Sequence, residues 1–73
     1  MVGARHEFSG FKSGFRAWVT EIEPHRWCTE VKDAAGSTRL VWFSNSEGEA
    51  RMLLGKAGAM LGGCEFREVA AAV

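Results

Sequence analysis

Read for alternation of apolar and polar positions, the 73-residue chain divides into short strand-like runs and one helical period. The run "GFRAWVTEIE" (14–23) is rich in aromatic and β-branched residues and stops at Pro24, a residue suited to opening a turn. "RWCTEVKD" (26–33) follows, then the turn-forming "DAAGS", then "TRLVWFSN" (38–45). Connections this short predict a three-stranded antiparallel meander. From position 46 the period changes: Ala50, Leu53, Leu54, Ala57 and Leu61 recur at i, i+3, i+4, i+7 and i+11, one apolar stripe on a helix. Ser46 with Glu49 has the capping-box spacing, Ser44 with Glu47 competes for it, and Gly62-Gly63 supplies the stop. "CEFREV" (64–69) resumes as a strand with Cys64 and Phe66 turned inward. The expected order is β-β-β-α-β, a small antiparallel sheet with one helix on one face, an α+β fold.

Cross-strand pairing assigns faces, because residues directly opposite share one. A turn at Pro24-His25 sets Ile22 opposite Trp27, Thr20 opposite Thr29 and Trp18 opposite Val31. Those six are the expected core face. A one-residue slip would swap the faces and put Trp27 beside glutamates. In the second hairpin, Ala34-Ala35-Gly36 suits a three-residue loop closed by a left-handed glycine, which groups Val41 and Phe43 with Thr29 and Trp27. A two-residue loop would instead pair Glu30 with Arg39 and Trp42 with Trp27. Either way "LVWF" puts a large side chain on both faces.

Length and composition narrow the classes. A chain of this size is one domain (1–73) and buries about 60% of its unfolded surface. Its core supplies about 3–5 kcal/mol, so self-association would help. Residues 1–10 and 70–73 ("VAAAV" closes the chain) are the segments expected to be disordered. No apolar run reaches the length of a membrane span, and "MVGARHEFSG" lacks the apolar stretch of a signal peptide, so the expectation is a cytoplasmic protein with no membrane partner. Nine basic residues balance nine acidic ones, which weighs against duplex DNA binding by a basic face. Two cysteines without a secretion signal read as reduced thiols.

The chemistry-rich stretch is "EPHRWCTEV" (23–31). On a strand, residues three apart point to opposite faces, so His25 and Cys28 do not converge. His6, His25, Cys28 and Cys64 form a zinc inventory without zinc-ligand spacing. Cys28 lies among Glu21 and Glu30, which raise rather than lower a thiol pKa. "GKAGAMLGG" lacks phosphate-loop spacing, and Glu47 and Glu49, two apart on a helix, do not face each other. The reading is a non-enzyme without metal or cofactor.

Two surfaces look unfinished. Opposite the leucine stripe lie Gly48, Met52, Gly55 and Ala59, where a surface helix normally carries charge. The second sheet face would hold Phe15, Ala17, Val19 and Cys28 with Trp42 or Phe43. Three coverings are open to it: the N-terminal segment with Phe8 and Phe11, a second copy, or a partner. The leading expectation is therefore a small protein-interaction or regulatory module, acting as a homodimer through Phe15, Val19, Trp42, Met52, Gly55 and Ala59. The alternative is a nucleic-acid-binding accessory protein using an aromatic and arginine sheet face: Arg16, Arg26, Arg39 and Trp42. Three strands followed by a helix is similar in topology to small DNA-binding modules such as integrase arm domains and AP2 domains. The resemblance stops at topology and carries no residues over.

Overall fold

The computed structural model describes residues 3–11 and 13–69. It contains β1 (Arg5–Gly10), β2 (Arg16–Glu23), β3 (Arg26–Lys32), β4 (Thr38–Ser44), α1 (Glu47–Met60) and β5 (Phe66–Glu68). The strands form one antiparallel sheet of five, in the order β4-β3-β2-β1-β5. The α+β class and the single helix agree with the pattern of the chain; the strand count and order do not. Of residues 1–10, the segment expected to be disordered or to fold back over the sheet, residues 1 and 2 lie outside the described part and Arg5–Gly10 form β1, an internal strand between β2 and β5. Its inward positions are His6, Phe8 and Gly10, so only one large apolar residue marks it, and a periodicity search passes over it. Residues 70–73 lie outside the described part. The helix carries the chain from one sheet edge, β4, to the other, β5.

Both hairpin turns form as expected, and both registers then shift by one. At the first, Pro24 and His25 make the turn, with His25 at φ +62°, the left-handed value a Pro-X turn of type II requires. Glu23 pairs with Arg26, but the register slips at Ile22, and Glu21 lies opposite Trp27. A bulge of this kind places two residues against one and reverses the facing beyond it. Ala17 and Val19, not Trp18, Thr20 and Ile22, therefore join Trp27, Thr29 and Val31 beneath the helix. At the second turn, the amide of Asp33 donates to Ser37 (3.0 Å) and that of Gly36 to Asp33 (2.9 Å), closing the three-residue loop with Gly36 at φ +86°. The register then slips at Arg39, so Leu40 opposes Val31 and Trp42 opposes Thr29. Val41 and Phe43 turn away from the helix, 43% and 56% exposed.

The core is the layer between this sheet face and α1: Phe8, Ala17, Val19, Trp27 and Val31 against Ala50, Leu54 and Ala57. Phe15, Leu40, Trp42, Leu61 and Phe66 rim it. Burying a side chain the size of Val or Leu contributes about 1.5–3 kcal/mol. The small residues of the helix bring its backbone close to the strands. That approach lets the buried Thr29 hydroxyl donate to the Ala50 carbonyl at 3.0 Å. Ser46 caps the helix, its Oγ accepting from the Glu49 amide at 3.1 Å, while the Glu49 carboxylate reaches back to the Asn45 amide at 3.2 Å. At the far end the Gly58 carbonyl accepts from the amides of Gly63 (3.0 Å) and Cys64 (2.8 Å), with Gly62 and Gly63 both left-handed, as a Schellman ending requires.

Candidate functional site

The sheet face without the helix is where charge and aromatic surface meet. Within one strand, residues two apart share a face. This puts Arg16, Trp18 and Thr20 of β2, Arg26, Cys28, Glu30 and Lys32 of β3, Arg5, Glu7 and Ser9 of β1, and Val41 and Phe43 of β4 on the same side. The register aligns them in rows: Ser9, Arg16, Lys32 and Thr38; then Glu7, Trp18, Glu30 and Val41; then Arg5, Thr20, Cys28 and Phe43. Trp18 is the centre. The cationic groups of Arg5, Arg16 and Lys32 lie over its ring at 5.4, 5.5 and 5.7 Å from the centroid. Arg26 covers Phe43 at 5.2 Å. Contacts of this kind contribute about 0.5–1 kcal/mol each at exposed sites. Arg16 is also paired with Glu7.

The zero net charge is thus unevenly distributed. The open face carries Arg5, Arg16, Arg26 and Lys32 against Glu7, Glu23 and Glu30. On the helix side, His6, Glu47, Arg51 and Glu68 form a closed cluster. Arg51 donates to Glu47 at 2.8 Å and to Glu68 at 3.0 Å, and the His6 Nδ1 lies 3.0 Å from Glu68. The Arg51 hydrogen bond, followed by that of His6, holds the Glu68 carboxyl below its ordinary pKa. These four side chains tie β1, α1 and β5 together. They satisfy one another, which is a structural role.

The stretch "EPHRWCTEV" comes apart chemically. His25 is exposed at the turn, Trp27 points into the core, and Cys28 sits half-buried on the open face. Burial, then the Glu30 carboxylate, pushes the Cys28 thiol up. Cys64 is elsewhere, its sulfur 3.1 Å from the Ser13 hydroxyl. Among the described residues no group of three His, Cys, Asp or Glu side chains is placed to hold a metal ion.

Of the positions expected to bind a partner, Val19 is fully buried under the helix, and Phe15 and Trp42 are half-buried against the core on that same side. The bulges at Ile22 and Arg39 turned the faces, so these three do not form an open apolar patch. Met52 is 70% exposed. Gly55 and Ala59 line a shallow groove of about 450 Å³ between α1 and β5, with Phe8, Cys64 and Phe66. Of the nucleic-acid set, Arg16 and Arg26 are on the open face. Arg39 instead lies over Phe15 (5.7 Å) and near Asp33 (3.8 Å), and Trp42 faces the helix. Arg5 and Trp18 are the members that the sequence pattern does not place on this face, and Phe43 takes the position for which Trp42 was the other candidate.

No helix among the described residues is long and apolar enough to cross a membrane. Compared with known proteins, the chain matches no family model, no curated protein and no solved structure.

Proposed function

We propose that the protein is a non-enzymatic binding module whose open sheet face takes single-stranded nucleic acid. One observation carries this reading: a half-buried tryptophan ringed by three cations at 5.4–5.7 Å, on a sheet face where positive groups outnumber negative ones. Indole and guanidinium planes both accept a stacked base, and each such stack contributes about 1–3 kcal/mol regardless of base identity. Cations beside the stack meet the phosphates that flank it. A single strand fits better than a duplex, whose bases are already stacked. The balanced composition does not oppose this, since the carboxylates that neutralise the chain include Glu47, Glu49 and Glu68 on the helix side.

Docking of a protein on the outer helix strip has less support. Met52 is exposed there, but a Cβ built on Gly55 would meet nothing within 4 Å, so no neighbouring group requires a small residue at that position.

The test is fluorescence anisotropy with a labelled mixed-sequence single strand, over a salt series. Three phosphate contacts, one for each cation around Trp18, give a log–log salt slope of about −2. Trp18→Leu weakens binding about tenfold or more, and Lys32→Gln lowers the slope by about 0.7. Far-UV circular dichroism checks that both variants remain folded. Binding that ignores salt and both substitutions would refute the reading.

A further inference from the structure

The two edges of the sheet differ. β5 is a three-residue strand carrying Arg67 and Glu68, an edge blunted by brevity and charge. β4 is seven residues long, and its stretch from Leu40 to Ser44 has no charge and no proline. Among the described residues, none of the turn and loop backbone hydrogen bonds reaches 38–44. Strands of this kind pair with another chain unless something stops them. Among the described residues, what β4 sets against this is the bulge and the charge of Arg39, both at one end of the strand.

We propose that β4 pairs antiparallel with β4 of a second copy, about a two-fold axis through Val41. The strand is self-complementary about that point. Val41 meets Val41 of the copy on the open face, and Leu40 meets the copy's Trp42 on the helix side. A one-residue displacement would lose this matching of faces. The Arg39 side chain, held by its own Asp33 and Phe15, sits where the bulge ends the pairing. A two-fold axis normal to the sheet keeps like faces together. The product is a continuous sheet of two five-stranded halves, with both Trp18 clusters on one side. The pairing stands on the edge and its residues, and does not depend on what the open face binds.

Sedimentation analysis over a concentration series tests it. The native chain is expected to sediment as a dimer at high concentration and to dissociate on dilution. Val41 is exposed and lies opposite Glu30, so Val41→Lys is compatible with the monomer fold. It sets two ammonium groups face to face on the axis and weakens the dimer by more than about tenfold. Val41→Glu does the same with carboxylates, and circular dichroism verifies that each variant is folded. An equimolar mixture of the two restores the dimer, because opposite charges then meet at the axis. A native chain that stays monomeric throughout would overturn the proposal. So would a Val41→Lys variant that still dimerises, or a mixture of folded variants that does not.

Discussion

Replacing Gly58 and Gly55 by alanine, three positions apart on one helix, is expected to move stability in opposite directions. A Cβ on Gly58 would lie 2.1 Å from the Cys64 carbonyl oxygen and 3.2 Å from its carbonyl carbon. Comfortable C···O contact begins near 3.3 Å, so that backbone must retreat by about 1 Å. It is not free to do so, because the Cys64 and Gly63 amides both donate to the Gly58 carbonyl, at 2.8 and 3.0 Å. Moving the loop strains these bonds and shifts the entry to β5. Overpacking costs about 1–3 kcal/mol and a weakened hydrogen bond about 0.5–1.5. Against this, alanine returns about 1 kcal/mol of helix propensity. The net is a loss of about 2 kcal/mol, a large part of what a domain this small has. At Gly55 a Cβ meets nothing within 4 Å, so only the propensity term acts, a gain of about 0.5–1 kcal/mol. With about 4–8 °C per kcal/mol for a domain of this length, the two melting temperatures should differ by at least about 10 °C in circular dichroism. Equal stability, or a Gly58→Ala variant more stable than the native chain, would refute the packing described for the end of the helix.

Three further outcomes follow from single interactions. Thr29→Val keeps the volume but removes the buried bond to Ala50, and denaturant unfolding should show a loss of about 1 kcal/mol. Cys28, its pKa raised by burial and then by Glu30, should alkylate more slowly than a free thiol near pH 8, and Glu30→Gln should speed it, with labelling resolved by peptide mass spectrometry. Glu68 has a depressed folded pKa, so the stability it contributes is present above its unfolded pKa and is lost as pH falls through the folded value. NMR titration of the Glu68 carboxyl should find the transition below the ordinary carboxylate range, and Arg51→Met should move it upward.

The helix was legible because every signal agreed: the Ser46 cap, the stripe through Ala50, Leu54 and Ala57, and the double glycine stop. The two turns were legible for the same reason, Pro24-His25 and Gly36 each having a chemistry that a turn demands. What lay beyond the turns was not. An extra residue at Ile22 and another at Arg39 reversed which side chains face the helix, and no residue type announces a bulge whose positions are ordinary Ile and Arg. One clue was available. Arg16 and Trp18 share a face in any register, so a core-facing Trp18 would have drawn Arg16 toward the core with it. Taking Ala17 and Val19 as the inward pair avoids this, and it brings Trp18 beside Arg16 on the open face. Arg5 was beyond reach for a different reason. It belongs to a strand whose inward residues include His6 and Gly10, and hydrophobic patterning does not register such a strand.

The most direct test of the open face is a map of amide and indole NMR shifts as a mixed-sequence single strand is added. The Trp18 indole and the amides of Arg5, Arg16, Cys28 and Lys32 are expected to move together and saturate, while Ala50, Leu54 and the exposed helix residues stay fixed. Shifts confined to the helix side, or no shifts at low salt, would contradict it.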